Sequence, residues 1–201
     1  MIRSLPVVDG DPVSAVQLVA ELRRVHVESA AYWRGYATPE FFMPSAPGIW
    51  SAADQVRHLT KSIRPVTSAL GLPRVVLRLL FGRARAPSRL YTALRADYHA
   101  ALALGAHAGR FAPRPLVAID GAVAESTRAR IMDHHRSAVD ALCRSAERWP
   151  EASLDAIRLP HPLLGRLTVR EMLAFTLYHN LHHVQVAERR RLEKADRRIG
   201  G

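Results

Sequence analysis

Apolar residues along this chain recur at intervals of three and four rather than at every second position, and four long stretches carry that rhythm. The first covers residues 12–35. Its stripe is Val16, Val19, Leu22, Val25 and His26, with Asp11 as the expected N-cap and Pro12 suited to the first helical position. The second begins at Ser51, where Ser51 and Asp54 have capping-box spacing, and its buried side reads Ala52, Val56, Leu59, Ile63 and Val66. Pro65 is expected to disturb it, because proline lacks the N–H that bonds the preceding turn. The third covers residues 122–149 on Ile131, Val139, Leu142 and Ala146, and the last opens at a second capping box, Thr168 and Glu171.

Strand-like alternation is nearly absent. A loop with Pro39, Pro44 and Pro47 carries Phe41, Phe42 and Met43, which can fold over a core edge. Residues 71–115 hold a short apolar helix near 75–81, an arginine-rich turn and a helix over 88–108, which reads as an inserted crossover. The expected fold is therefore all-α: a four-helix bundle with an additional helical crossover between the second and third core helices. At 201 residues the chain is read as one domain, with a core over 12–190, the insertion over 71–115 and a basic tail over 191–201.

Composition narrows the function classes. The longest apolar runs are too short and too charged to span a bilayer, and the start of the chain has no apolar leader. Cys143 is the lone cysteine, which removes a disulfide framework and fits a reducing cytoplasm. The formal charge of +11 resembles a nucleic-acid footprint. Its distribution argues otherwise: arginines occur in every segment, the densest cluster lies near the C-terminus, and no element combines basic residues with base-reading groups. Nucleic acid is thus a disfavoured partner.

The chemistry sits in the histidines. On the last helix His179 and His183 are four residues apart, so both rings leave the same face and can converge on one ion. At a 100° step per residue, Met172, Phe175, Thr176, His183 and Val186 fall within about 60° of His179, inside the stripe that faces the bundle. Two core histidines with hydrogen-bond partners would satisfy the same pattern, and His182 could replace His183 if the helix were rotated. A mononuclear site needs a third ligand. Candidates are His26, His58, His99, His107, His134, His135 and His161. His58 stands out, one turn beyond the capped start of the second helix and at the edge of its apolar face. Asp133-His134-His135 is a rival, but adjacent helical residues diverge, so it reads as surface or supporting shell.

These segments resemble a family. Trp50-Ser51-Ala52-Ala53-Asp54-Gln55-Val56-Arg57-His58-Leu59 is similar to the second-helix motif of the DinB/YfiT-like superfamily of metal-dependent enzymes. His161-Pro162, Gly165 and Thr168 with Glu171 resemble its His-Pro…Gly…Thr-x-x-Glu lead-in, and His179, His183 and Gln185 its terminal His-x-x-x-His-x-Gln segment. The resemblance implies a metal site on His58, His179 and His183 near one end of a bundle cleft, with nickel, zinc, iron or manganese as the divalent occupant.

Three neutral imidazoles would leave an open coordination position. Two chemistries follow: hydrolysis by a metal-activated water, or transfer to a small molecule by a metal-stabilised thiolate, as the resemblance to thiol S-transferases and thiol-dependent isomerases implies. The alternative is a non-catalytic small-molecule or stress-response module on the same fold; a DNA-associated basic protein ranks below both. No general base is evident. Asp54 can orient His58 or simply cap the helix, and Gln185 can face the site or solvent. A small-molecule substrate, with a low-molecular-weight thiol as one candidate, and a homodimer are the expected partners, with no membrane.

Overall fold

The computed structural model describes residues 5–114, 116 and 121–199; residues 1–4, read above for a leader, and the last two residues of the basic tail lie outside them. Eight helices and one two-stranded hairpin follow in the order α1 (Ala15–Arg34), α2 (Thr38–Phe42), α3 (Ala52–Leu70), α4 (Arg74–Phe81), α5 (Tyr91–Ala103), a 3₁₀ turn (Gly109–Phe111), α6 (Gly121–Glu147), α7 (Glu151–Ala156), β1 (Arg158–His161), β2 (Gly165–Thr168) and α8 (Val169–Ile199). The long helices α1, α3, α6 and α8 are the bundle. Both α1 and α3 pack against α6 and α8, so α1 and α3 sit across the bundle from each other. The added helix α5 lies outside the four, on α8.

The apolar stripes meet in the interior. Leu18, Leu22 and Val25 from α1 join Ile63 and Val66, Leu142 and Ala146, and Leu173, Leu177 and Leu181 in the largest cluster. Each fully buried aliphatic side chain contributes about 1.5–3 kcal/mol over exposure. Val16, assigned to this stripe by periodicity, is 79% exposed; Leu18 occupies the inward position instead. At the other end of the bundle Trp33, Phe41, Val56 and Val184 form a second cluster, and the loop expected around Phe41 contains the short helix α2.

Two capping boxes are as expected. The Ser51 hydroxyl accepts from Asp54 N while Asp54 accepts from Ser51 N, and Glu171 N donates to Thr168 Oγ1 while Thr168 N donates to Glu171 Oε2. The start of α1 differs. Its cap is Ser14, in a box with Gln17, and Asp11 instead accepts from Thr92 N and Oγ1. Leu90 offers α5 no side-chain cap, and the distant Asp11 supplies the missing acceptor. Nor does Pro65 interrupt α3. It and Lys61, whose carbonyl loses its partner, are both exposed to solvent.

The hairpin is the element that periodicity misses. Four residues per strand are too few to show alternation, yet Leu159 pairs with Leu167 and both are buried. Gly165 turns the chain at φ 74°. Because Thr168 ends β2 and caps α8, the hairpin fixes where the helix that carries His179 and His183 begins. Downstream, α8 continues through Arg189, Arg190 and Arg191, so the basic cluster rides on a helix.

Candidate metal centre

Three histidines from two facing helices come together. His58 on α3 and His179 and His183 on α8 are 4%, 5% and 6% exposed, and one ring nitrogen from each lies within 4.8 Å of the others. His179 Nε2 is the middle atom, 3.2 Å from His58 Nε2 and 3.0 Å from His183 Nε2.

The atoms behind the rings decide what the Nε2 atoms carry. His58 Nδ1 donates to Phe111 O at 3.0 Å. His183 Nδ1 donates to Oε1 of Gln55, one turn before His58 on α3. Ser62 donates its own proton to Leu59 O, so its oxygen faces His179 Nδ1, 3.5 Å away, as an acceptor. Each Nδ1 thus holds a hydrogen, and each Nε2 is left as a lone pair. Three lone pairs brought within hydrogen-bond distance, with no proton between them, repel unless they share a cation. The donor set fits a divalent ion.

Electrostatics support the same protonation. Burial pushes all three imidazoles below their ordinary pKa, His179 and His183 farthest, because each also faces neighbouring histidines. Neutral imidazole is the form that ligates. The ring planes are held by aromatic neighbours: Trp50 stacks on His183 and tilts over His58, and Phe175 stacks on His179.

The 3₁₀ turn belongs to the site although it ends the segment read as an insertion. Arg57 donates to Arg114 O at 2.7 Å and Lys61 to Ala112 O at 3.1 Å, on either side of the His58–Phe111 bond. One face of α3 therefore straps residues 111–114 over the edge of the histidine cluster.

Other sequence candidates fall elsewhere. Asp54 is occupied by Ser51 and Arg57, so it caps α3 and does not orient His58. His182 does not join the triad; it turns toward α5, edge-on to Tyr98. His134 is exposed, whereas His135 is buried in the bundle interior against His26, so it is core, neither surface nor a support of the triad. His99 contacts the Tyr178 hydroxyl, His107 is exposed, and Gln185 points to solvent. His161, at the end of β1, accepts from Leu163 N and Leu164 N and packs on Phe175.

The triad forms part of the wall of a cavity of about 690 Å³. Trp50, Tyr98, Phe111, Met172 and Phe175 supply apolar surface, and His161 and His182 face the same space. Gln55, Ser62 and the Phe111 carbonyl are the functional groups that sequence reasoning missed. Gln55 and Ser62 carried a usable signal, since both fall on the His58 face of α3 at helical spacing. Nothing local pointed to the carbonyl.

The DinB superfamily model matches residues 20–187. No curated protein and no solved structure is significantly similar to the chain.

Proposed function

The chain belongs to the DinB superfamily, and from that premise we propose that it is a metal-dependent enzyme. His58, His179 and His183 would hold one divalent ion, nickel, zinc, iron or manganese, beside a cleft for a small molecule. The observation that carries this reading is the acceptor behind each Nδ1, which leaves three Nε2 lone pairs facing one another.

Thiol S-transfer is the reaction class best supported. A bound divalent ion would supply the positive charge that keeps a thiol as its thiolate near neutral pH. The chain's own contribution is to bind and to exclude water, through Trp50, Tyr98, Leu102, Met172 and Phe175. No aspartate or glutamate lines the cavity among the described residues, so no carboxylate is at hand as the base that water activation commonly recruits. His182 and His161, both held near pKa 4 chiefly by burial, are neutral there and bring no competing charge. Hydrolysis is the second reading, supported by the same three ligands.

A conjugation assay with untagged protein, small thiols and a haloacetamide electrophile tests the proposal. Turnover is expected with the metal-loaded protein, lost on chelation and in His179→Ala. Metal-dependent ester or amide cleavage without thiol transfer would support the hydrolase. Stoichiometric metal with neither activity would support the non-catalytic binding module.

A further inference from the structure

The charges around the cleft restrict what can enter it. Apart from its histidines and Tyr98, Arg190 and Arg110 are the only ionisable side chains that the described residues place along its wall, and no aspartate or glutamate among them faces it. Arg110 is exposed and lies over the Phe111 ring. Arg190 differs. It follows His183 by seven residues, two turns along the same face of α8, and Val186 lies between them on that wall.

Arg190 is half-buried and makes neither a hydrogen bond nor an ion pair among the described residues. Its neighbour Arg191 is paired with Glu188. Burial and the adjacent Arg189 disfavour its charge, and Glu193 offsets them only through space. A guanidinium partly stripped of water without a partner has unmet donors in a fork that matches an oxyanion. The separation of about 10 Å along the helix from His183 sets the length of a ligand that reaches both.

We propose that the cleft selects an elongated apolar anion, its oxyanion head on Arg190, its body along Val186, and its far end at the histidines. The assignment deepens the enzyme reading and rests on it for which end reacts.

Displacement of phenylnaphthylamine, a neutral fluorophore that reports apolar cavities, tests the proposal. The competitors are octanoate, octyl sulfate, octanol and octylamine, each run with zinc-loaded and with chelated protein. Both anions are expected to displace at about tenfold lower concentration than octanol, with octylamine the weakest. Arg190→Met should remove most of that preference and leave octanol unchanged, whereas Arg144→Met, an exposed arginine on α6, should preserve it. Octanoate acting alone would narrow the head group to a carboxylate, and octyl sulfate acting alone to a sulfate-like anion. The chelated arm removes the metal as a rival seat for the anion. Equal displacement by octanoate, octyl sulfate and octanol, or an anion preference that survives Arg190→Met, overturns the proposal. An Arg190-dependent preference in a protein that binds no zinc would keep the anion seat and remove the metal site. Stoichiometric zinc without such a preference would do the reverse.

Discussion

Two pairs of facing helices in this bundle each bury histidines, and only one of the two clusters is arranged to hold an ion. Between α3 and α8, His58, His179 and His183 turn their Nε2 atoms toward one another, each ring backed by an acceptor. Between α1 and α6, His26 and His135 meet edge to face at 5.2 Å, with His26 Nδ1 and His135 Nε2 lacking hydrogen-bond partners. Burial lowers the pKa in both clusters, so neutrality does not distinguish them. Convergence and the groups behind the rings do. A buried neutral histidine is a common core feature; three whose outer nitrogens are all committed are a donor set.

The comparison can be broken most decisively by deleting one ring from each cluster. His179→Ala removes the middle nitrogen and should lower zinc affinity at least a hundredfold by titration calorimetry. His135→Ala should retain the affinity and cost about 2–4 kcal/mol of folding stability in denaturant melts, by leaving a cavity. A matching loss of zinc binding in both variants would erase the distinction.

Metal removal comes next. Saturating zinc at a hundred times its dissociation constant should stabilise the wild type by about 2.7 kcal/mol over the chelated protein, read as a rise in Tm. His135→Ala should show the same increment, and His179→Ala no more than about 0.4 kcal/mol.

A smaller effect sharpens the role of the supporting acceptors. Gln55→Leu leaves His183 Nδ1 without its partner and should weaken zinc about 10–100-fold with little change in the stability of the metal-free fold. Gln55→Glu keeps the acceptor and should restore most of the affinity.

The pH dependence separates the clusters more finely. His135 has its folded pKa lowered to about 3 by burial, against an ordinary value of 6.5. As pH falls below about 6.5 the unfolded chain takes up a proton that the folded chain refuses, so stability declines from there toward pH 3 and is greatest above that window. In chelated protein, His135→Asn should reduce the slope of stability against pH by up to about 1.4 kcal/mol per pH unit. An unchanged slope would mean that His135 is not held neutral.

Much of this was legible in the residues. The boxes at Ser51–Asp54 and Thr168–Glu171 are local exchanges between a residue and its third neighbour, so they can be read without the fold. The four-residue spacing of His179 and His183 likewise fixes a shared face of one helix. The acceptors were not legible in the same way. Phe111 O reaches His58 across 53 positions and only because Arg57 and Lys61 tie the same turn to α3. Asp11 looked like the cap of α1 because it precedes that helix, yet its partner is Thr92, which only tertiary packing brings near. The hairpin escaped because two buried leucines in strands of four residues leave no period to detect.

The central claim is that His58, His179 and His183 form one divalent-metal site. Elemental analysis of untagged wild type and His58→Ala, purified side by side and loaded from the same metal buffer, tests it most directly. The account predicts one ion per chain in the wild type and none retained by the variant after desalting. A full equivalent in His58→Ala, or no ion in the wild type, would contradict it.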